Sequence, residues 1–363
     1  MTTLRASFTA FVPEYLERYP HLPLSHRKVS SAIQRCQSGH YGHSLYQCQH
    51  CGGQHRVHHS CGNRHCPQGQ QHKTQQWLAH HLEQQLPGPH FLLTFTVPET
   101  LRPFIRSPHR LAYQALFHAS ATALKRLAAD ARFIGTDLPS FTGVLHTWGR
   151  QLQYHPHLHY IVPGGGFSKD RMTWQPSRAN FFVPVKALSP IYRALFQEEM
   201  RQAGLLEHID PQVWTIPWNV HSQANHHGRS ALTYLAPYVF KVAISNHRLV
   251  SLTDRMVIFT YRKVDSARLR TAHLDVMEFL RRFLQHVLPD GFQKVRHFGL
   301  LHASCAVPLA TIGLLIVQGH PSEGRPSPRP PPKPFAARCP TCGTPMRVVM
   351  RLWTSPSDFV DTS

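Results

Sequence analysis

Apolar positions repeat with two different periods in the central part of the chain. The run HFLLTFTV at 90–97 is rich in β-branched and aromatic residues and predicts a strand, whereas apolar residues recur at helical spacing over 111–127. The segments FTGVLHTW at 141–148 and HPHLHYIV at 155–162 are both strand-like and are joined by a short polar stretch. This arrangement predicts an antiparallel hairpin, which the sequence PGGG at 163–166 ends.

The remaining pattern mixes helices and strands without strict alternation. It predicts helices at 1–35, 191–203, 231–242, 276–288 and 300–317, and strands at 213–220 and 256–261. The stretch 300–317 is the most apolar, but His302 and Pro308 interrupt it, so we interpret it as a packed helix. Together these elements predict an α+β fold class, with an antiparallel sheet, flanking helices and a small cysteine-rich module in front.

Changes in composition divide the chain into four parts. We place a helical, cysteine-rich module at 1–88, a mixed α+β domain at 89–301, a helix with a proline-rich linker at 302–334, and a tail at 335–363. The linker sequence HPSEGRPSPRPPPKP predicts an extended chain. The tail carries CPTCG at 339–343, which looks like half of a zinc knuckle. It has no second half nearby in the sequence, so zinc binding by Cys339 and Cys342 stays open.

Charge narrows the class of partner. Lys and Arg number 39 against 19 Asp and Glu, which gives a formal net charge of +20 with basic residues spread over the whole chain. Such an excess predicts a polyanionic partner, nucleic acid first, while a basic protein without that role is the alternative. The N-terminal sequence lacks a signal-peptide pattern, so we expect a cytoplasmic protein without membrane contact. Charge carries no information on oligomeric state.

A histidine pair lies in the second strand of the predicted hairpin. Side chains two residues apart project from the same face of a strand, so His157 and His159 can meet one ion. Neutral imidazole binds divalent metals, and a pair needs a third protein ligand. His146 on the partner strand is favoured over His155, because the following proline redirects the chain there. With 29 histidines in the chain, however, an H-x-H pattern also arises by chance.

Two tyrosines are candidate nucleophiles. Tyr234 and Tyr238 are four residues apart, which on a helix places both on one face with about 5–6 Å between Cβ atoms. A phenol with a pKa of about 10 needs a base or a cation to attack, and Lys241 is a candidate to stabilise phenolate or phosphate charge. Pro237 lies between the tyrosines and weakens the helical argument. Half-buried core tyrosines are the alternative interpretation.

A cluster of cysteines lies near the N-terminus. Its members are Cys36, Cys48, Cys51, Cys61 and Cys66. A C-x₂-C pair followed closely by further cysteines is typical of a zinc-stabilised DNA-binding module, with unligated thiols as the alternative. Three basic residues in or near the cluster, Arg56, Arg64 and Lys73, suit contacts with phosphate.

Three segments together resemble the rolling-circle insertion-sequence transposases of the HUH class, named after histidine, hydrophobe, histidine. They are VLHTWGRQLQYHPHLHYIVPGGG, YLAPYVFKVAISNHRL and FLRRFLQHVLPDGFQKVRHFGLL. More narrowly, residues 20–301 are similar to the two-tyrosine branch typified by insertion sequence ninety-one. The resemblance implies an HUH-type antiparallel sheet at 89–301, in which His157 and His159 bind Mg²⁺ or Mn²⁺ and a tyrosine attacks the scissile phosphate.

The resemblance also implies the products and partners of the reaction. A 5′-phosphotyrosine link and a free 3′-OH form on single-stranded ends of a bacterial element, and target DNA is joined without a nucleotide cofactor. We therefore expect a nucleoid-associated enzyme. Some relatives keep one tyrosine, so the need for both Tyr234 and Tyr238 stays open. The same chemistry would serve a replication initiator or relaxase, and a catalytically inactive zinc-containing DNA-binding protein is a rival of a different class.

The cysteine pattern of the family differs from this chain at one position. It resembles C-x₁₁-C-x₂-C-x₉-C-x₄-C-x₂-C, and Gly69 stands where the sixth cysteine is expected. His65, His72 or Cys61 are alternatives for completing the structural zinc site.

Overall fold

The computed structural model describes residues 3–83, 86–168, 173–225, 242–263, 268–305, 307–319 and 337–354. The predicted helix at 231–242 lies almost entirely outside the described residues, together with Tyr234, Tyr238 and Lys241. The proline-rich linker at 320–334 lies outside them as well.

The N-terminal module contains three helices and a hairpin. Its elements are α1 (Leu4–Arg18), α2 (Leu24–Arg35), β1 (His43–Cys48), β2 (Gln54–His58) and α3 (Gln70–Glu83). The Thr3 hydroxyl accepts a hydrogen bond from the Ala6 N–H and caps α1. The helical pattern predicted over 1–35 is thus two helices, because Pro20 and Pro23 interrupt it between them.

The rest of the described chain builds three further antiparallel sheets and the helices that cover them, and its last strand joins the hairpin of the module. Its first elements are β3 (His90–Thr96), α4 (Arg102–Ile105), α5 (His109–Ala129), β4 (Leu138–Pro139), β5 (Phe141–Trp148), β6 (Tyr154–Pro163), β7 (Gly165–Ser168), β8 (Thr173–Pro176) and α6 (Val185–Gln202). The later elements are β9 (Val220–Asn225), β10 (Leu249–Thr253), β11 (Met256–Arg262), β12 (Leu269–Asp275), α7 (Val276–Leu284), β13 (Val295–Phe298), α8 (Leu309–Gly319) and β14 (Met346–Leu352).

The main sheet has five strands in the order β13-β5-β6-β3-β9, and all neighbours are antiparallel. This confirms the predicted α+β class, the strand at 90–97 and the hairpin of β5 and β6. Alternate side chains of these strands, among them Leu93, Leu145 and Leu158, pack with α5 and α6 in the largest core of the described structure. The other face of the sheet carries the histidines.

The turn of the hairpin, residues 149–153, is held by α7 and the residues that follow it. The Gln285 side-chain amide donates to the Leu152 carbonyl at 2.8 Å, and Arg282 donates to the Gln151 carbonyl at 3.3 Å. Leu152 has a φ of 62°, a conformation that costs energy for a residue with a side chain. These contacts stabilise it and thereby the pairing of β5 with β6.

Helix α3 of the module covers part of the histidine face. Its side chains Trp77, Leu78 and Leu82 pack against Leu92 of β3 and Ile161 of β6. Because Ile161 and the two histidines of β6 alternate with buried positions, they share this face. The cysteine-rich module therefore reaches over the same side of the sheet as the candidate metal ligands.

A second core joins α1, α2 and α7 to the three-stranded sheet β10-β11-β12. Phe8 of α1 and Phe283 of α7 meet edge to face at 5.1 Å between ring centroids. Three thiols, those of Cys36, Cys61 and Cys66, are buried in the same core. The module is thus packed into the molecule.

The predicted strand at 213–220 is wrong. Pro211–Trp214 form a single helical turn, in which the Asp210 carboxylate accepts a hydrogen bond from the Gln212 N–H at 2.9 Å. Trp218 packs into the core beside α6, and the strand begins only at Val220. Val213 and Trp218 are buried in this core, Trp214 packs partly against it, and Ile216 is exposed.

Other element bounds differ from the prediction by a turn or more. Helix α6 starts at Val185 instead of 191, and the helix predicted to reach 288 ends at Leu284, where α7 turns into the loop before Pro289. In the stretch 300–317 the α-helix begins at Leu309, after Pro308. No helix among the described residues is long and apolar enough to cross a membrane.

Candidate active site

Three histidines converge on the face of the main sheet opposite α5 and α6. His146 of β5 pairs directly with His157 of β6, and His159 follows two residues later on the same face. Their potential ligand nitrogens all lie within 4.8 Å of one another. His146 is buried, while His157 and His159 are half-buried and so border solvent on one side. The structure thus brings together the trio that strand geometry favoured.

Hydrogen bonds orient two of the imidazoles. The Nδ1 of His157 lies 2.6 Å from the His155 carbonyl, an acceptor, so Nδ1 carries the proton and Nε2 the lone pair. The Nδ1 of His159 is hydrogen-bonded to the Thr94 hydroxyl at 3.1 Å, and Thr94 is its direct neighbour on β3. Such outer contacts fix ring orientation in metal sites.

His155, the alternative third ligand, lies beside the trio and outside it. Its ring centroid is 4.8 Å from that of His157. Burial, together with the positive charge of Arg102 and the neighbouring His159, lowers the pKa of His155 to about 4. His155 is therefore neutral at physiological pH.

The donor set of the trio suits a divalent ion. Nitrogens that share one ion at about 2.1 Å lie at most about 4.2 Å apart, so small ring rotations would close the observed separations. The described group contains three neutral donors and no carboxylate, so a bound ion would keep its full positive charge for a phosphate. An all-imidazole set also fits Mn²⁺ better than Mg²⁺, which prefers oxygen ligands.

A cavity of about 770 Å³ lies along β5 and β13 and reaches the histidine trio only through Trp148, since none of the three histidines lines it. Trp148 lines it, and the Trp148 ring stacks on His146 at 4.9 Å between centroids. The described lining of the cavity holds no carboxylate. It holds five Lys and Arg side chains, which are Arg64, Lys73, Lys125, Lys294 and Arg296. A space lined by cations and aromatic rings can accept a nucleic acid strand.

Two of the three basic residues proposed for phosphate contacts border this cavity. Arg64 also has a structural role, because its guanidinium donates to the carbonyls of Pro289 and Phe292 at 3.0 and 2.7 Å. Burial lowers the pKa of Arg64. Lys73 is exposed at the cavity, whereas Arg56 lies on β2, away from it.

The candidate nucleophiles Tyr234 and Tyr238, and Lys241 with them, belong to the segment 226–241 outside the described residues. The residues that flank this segment are described. Asn225 pairs with His90 at one end of the sheet, and Val242 lines the cavity beside Trp148 at the other. Both flanks therefore border the sheet that carries the three histidines.

The cysteines form two groups where the sequence suggested one. Cys36, Cys61 and Cys66 come together in the second core. The pair from the hairpin, Cys48 and Cys51, instead meets Cys339 and Cys342 of the tail. The spacing of the cysteines did not predict this partnership, although both pairs share the signal C-x₂-C-G.

The environment of Gly69 and His65 bears on the three-thiol group. A side chain at position 69 would point at Ser60, since its Cβ would lie 2.5 Å from the Ser60 Oγ, next to Cys61. Gly69 also has a φ of 81°, which favours glycine. The His65 Nε2 accepts a hydrogen bond from the Leu288 N–H at 3.3 Å, so His65 faces the loop after α7. The side chain of His72 lies outside the description.

Comparison with known proteins agrees with this picture. A family model described as "Putative transposase" matches residues 140–308, and one described as "Transposase zinc-binding domain" matches residues 7–97. The chain is 36% identical over 316 residues to "Putative transposase y4qJ" of Sinorhizobium fredii, with 81% of this chain and 79% of that protein covered. It is 29% identical over 270 residues to "Transposase for insertion sequence element IS801" of Pseudomonas savastanoi pv. phaseolicola, with coverages of 67% and 61%. No solved structure matches.

A cysteine-rich zinc-binding module in front of a domain that matches transposases defines a DNA-cleaving enzyme of mobile elements. The chain belongs to the insertion sequence ninety-one family of transposases. This confirms the resemblance found in the sequence and favours an insertion-sequence transposase over a replication initiator or relaxase. The matched zinc-binding domain and the two cysteine groups also support structural zinc.

Proposed function

We propose that this transposase cuts and rejoins single-stranded DNA at the ends of its element, through a phosphotyrosine intermediate, in rolling-circle transposition. The observation that carries the proposal is the convergence of His146, His157 and His159 on one face of the sheet. These three residues would hold a catalytic Mn²⁺ or Mg²⁺. The ion, when bound, polarises the scissile phosphate and lowers the cost of charge in the transition state.

The proposed reaction is a pair of transesterifications. The phenol oxygen of Tyr234 or Tyr238 attacks phosphorus while losing its proton, and the bond between phosphorus and the 3′ oxygen breaks. That oxygen takes up a proton and leaves as a 3′-OH, with the 5′ phosphate on tyrosine. A 3′-OH of a second strand then attacks the phosphotyrosine, and the phenol regains its proton. Each step exchanges one phosphodiester bond for another, so no nucleotide is consumed.

Residues around the three histidines would fix the orientation and the proton position of the imidazole rings for metal binding. The His155 carbonyl fixes the proton of His157 on Nδ1, and Thr94 holds the ring of His159. The basic cavity beside Trp148 would bind the strand that leads to the site, with Lys125 and Lys294 close to phosphates and the rings of Trp77 and Trp148 available to bases. We propose that the enzyme acts on DNA at the bacterial nucleoid, where the zinc module helps to recognise the ends of the element.

The test is covalent capture of DNA. Purified protein is incubated with Mn²⁺ and labelled single-stranded DNA from the ends of the element, then denatured and separated by electrophoresis. We expect a labelled adduct in the wild type and none in the double variant Tyr234→Phe/Tyr238→Phe. Each single variant shows which phenol is used. Tyr261→Phe on β11, a half-buried tyrosine outside the site, is the matched control and retains the adduct.

The metal assignment has its own variant. His157→Ala should lower adduct formation by at least about 100-fold while single-stranded DNA binding stays within about two-fold of the wild type, because a ligand is lost and the cavity is kept. An adduct that survives in the double tyrosine variant would remove both nucleophiles from the proposal. Binding without any adduct in the wild type would favour the catalytically inactive DNA-binding protein.

A further inference from the structure

We propose that Cys48, Cys51, Cys339 and Cys342 bind one Zn²⁺ in a shared four-thiolate site that fastens the tail of the chain to its N-terminal module. The four sulfurs lie within 4.8 Å of one another, although the two pairs are almost 300 positions apart in the sequence. The matched zinc-binding domain ends at residue 97, and the matched transposase region ends at 308, so neither includes the tail pair.

The distances between sulfurs fit a tetrahedral zinc site. Zinc–sulfur bonds of about 2.3 Å place the sulfurs of a regular tetrahedron about 3.8 Å apart. The separations between the hairpin pair and the tail pair are 3.4 Å for Cys48 and Cys342, 3.7 Å for Cys51 and Cys339, and 3.8 Å for Cys51 and Cys342. A disulfide would need about 2.05 Å, and all four residues are free cysteines.

The two C-x₂-C-G turns have the same backbone structure. In the hairpin, the Cys48 N–H donates to the Gly53 carbonyl at 2.9 Å, and the Gly52 N–H donates back to the Cys48 carbonyl at 3.2 Å. In the tail, the Cys339 N–H donates to the Thr344 carbonyl at 2.9 Å, and the Gly343 N–H donates to the Cys339 carbonyl at 2.8 Å.

The glycines of the two turns match as well, since Gly52 has a φ of 68° and Gly343 a φ of 72°. Each turn holds one buried and one exposed cysteine, so the tail repeats the hairpin in burial too. Each turn is one zinc knuckle, and two equivalent knuckles that face each other supply the four cysteines of one site, as in zinc ribbons.

Strand pairing brings the tail to the module. Strand β14 lies antiparallel to β1, with Cys48 opposite Met346, and completes a three-stranded sheet with β2. Gly42 allows this approach, because a Cβ there would lie 2.1 Å from the Leu352 carbonyl oxygen. Beyond the strand, the Trp353 ring packs against His59 in a tilted contact, with 3.9 Å between the ring centroids. The tail therefore has a defined place on the module, and its cysteines arrive at the hairpin pair as a consequence.

Zinc content measures whether the site is shared. The full-length chain is purified with zinc, and metal per chain is measured by mass spectrometry for the wild type, Cys48→Ser/Cys51→Ser, Cys339→Ser/Cys342→Ser and the quadruple variant. We expect each double variant to lose one equivalent and the quadruple variant to lose that same single equivalent. Cys305→Ser, outside both cysteine groups, should lose none. Unchanged zinc in the tail variant, or a loss of two equivalents in the quadruple variant, would overturn the proposal.

The main comparison of a second measurement, with zinc against chelator, uses the wild-type cysteines and so does not depend on how a cysteine variant folds. A specific protease site is inserted in the sequence 320–334, and the cut chain is passed over a sizing column. We expect the tail fragment to elute with the rest of the chain in zinc and to separate after chelation. In the cut Cys339→Ser/Cys342→Ser chain, it should separate even with zinc. A fragment that stays bound equally in all cases would show that zinc does not fasten the tail.

Discussion

At the scale of single residues, the candidate site depends on the hydrogen bonds that hold the Nδ1 nitrogens of His157 and His159, because these bonds orient the two imidazole rings. His157 is fixed by a backbone carbonyl, which no side-chain substitution removes. His159 is fixed by the hydroxyl of Thr94, which a substitution can remove without touching a ligand. Thr94 is therefore a positioning residue for the proposed metal site.

We predict that Thr94→Val weakens metal binding by about 10- to 100-fold, the usual effect of losing an outer hydrogen bond to a ligand. The measurement is adduct formation as a function of Mn²⁺ concentration, where the variant should need more metal and approach wild-type yield at saturation. Thr94→Ser keeps the hydroxyl and should restore the wild-type curve. Thr96→Val is the control. Thr96 lies on the same face of β3, but its hydroxyl donates to the Asn219 carbonyl. Equal effects at Thr94 and Thr96 would contradict a specific role for Thr94.

Single residues also show what the sequence could predict about the site. Strand alternation is a local property, so it correctly placed His157 and His159 on one face. The position of His146 depends on register, and a slip of one residue would have turned it to the opposite face. The sequence could favour His146 but could not fix the irregularity in register between His146 and Trp148. The union of Cys48 and Cys51 with the tail depends on long-range pairing, which spacing alone does not encode.

At the scale of elements, the hairpin of β5 and β6 is packed around a glycine. Gly143 pairs directly with Tyr160, and the Tyr160 ring occupies the space over Gly143. The Tyr160 hydroxyl is hydrogen-bonded to Ser120 of α5 at 2.7 Å, so the ring is held between sheet and helix. Any side chain at 143 must displace this ring.

We predict that Gly143→Ala lowers the free energy of unfolding by about 1–3 kcal/mol through overpacking. The new Cβ would lie 2.4 Å from the Tyr160 Cε1 and 3.1 Å from the Phe117 Cε1. The measurement is urea denaturation followed by circular dichroism. Gly313→Ala in α8 is the matched control: nothing lies within 4 Å of its Cβ, and helix propensity should raise stability by up to about 1 kcal/mol. A neutral result at position 143 would mean that the Tyr160 ring can move aside.

Elements also show where sequence patterns fail. Sequence patterns predicted α5, β3, β5, β6 and β11 correctly. Burial alternates along β3 and β11 and follows helical spacing in α5, whereas β5 is buried almost throughout and is marked by its β-branched and aromatic residues. The segment 213–220 has a similar composition, but Val213 and Trp218 are buried in the core beside α6, Ile216 is exposed, and the backbone starts from an Asp-Pro turn. A strand-like composition therefore does not by itself specify a strand, because the tertiary context decides the backbone conformation.

At the scale of the whole molecule, the chain buries several histidines in neutral form. Burial is the main cause of lowered pKa values at His26, His81, His90 and His155, each to about 4, and at His286, to about 3. In the unfolded chain the same groups take up protons near pH 6.5. The unfolded state therefore binds more protons between about pH 6.5 and 4, and stability must fall as pH falls through that window.

We predict that unfolding midpoints in urea decrease steadily from pH 7 to pH 4.5 and that His90→Asn reduces this decrease. His90 is fully buried and its Nδ1–H donates to the Gly88 carbonyl, a donor that asparagine can replace. The pKa of His90 is lowered from 6.5 to about 4 by folding. Without His90, the free energy of unfolding should fall by about 3 kcal/mol less on full acidification, when this histidine would be protonated in both the folded and the unfolded chain. The exposed His208→Asn is the control and should leave the slope unchanged. A loss confined to lower pH would instead point to paired carboxylates such as Glu278, whose pKa is lowered to about 2 by Arg281.

The net charge of +20 is spread over the chain, so charge alone does not say where DNA lies. The cavity lined by Trp148 is a candidate binding path for a DNA strand. The contribution of its cations to DNA affinity can be distinguished from that of the other basic residues by the dependence of affinity on salt. Each phosphate contact on a single strand contributes about 0.7 to the slope of log affinity against log salt.

We predict that Lys125→Gln and Lys294→Gln each reduce this slope by about 0.7, because each would remove one phosphate contact in the cavity. Lys186→Gln on α6, an exposed lysine that does not line this cavity, should leave the slope unchanged. Fluorescence anisotropy of labelled single-stranded DNA in chelator measures binding without cleavage. If Lys186→Gln flattened the slope as much as the cavity variants do, affinity would come from the general surface charge. The single-stranded DNA would then have no defined binding path to the histidines, and the Mn²⁺-dependent adduct would have to form without binding of the DNA in the cavity.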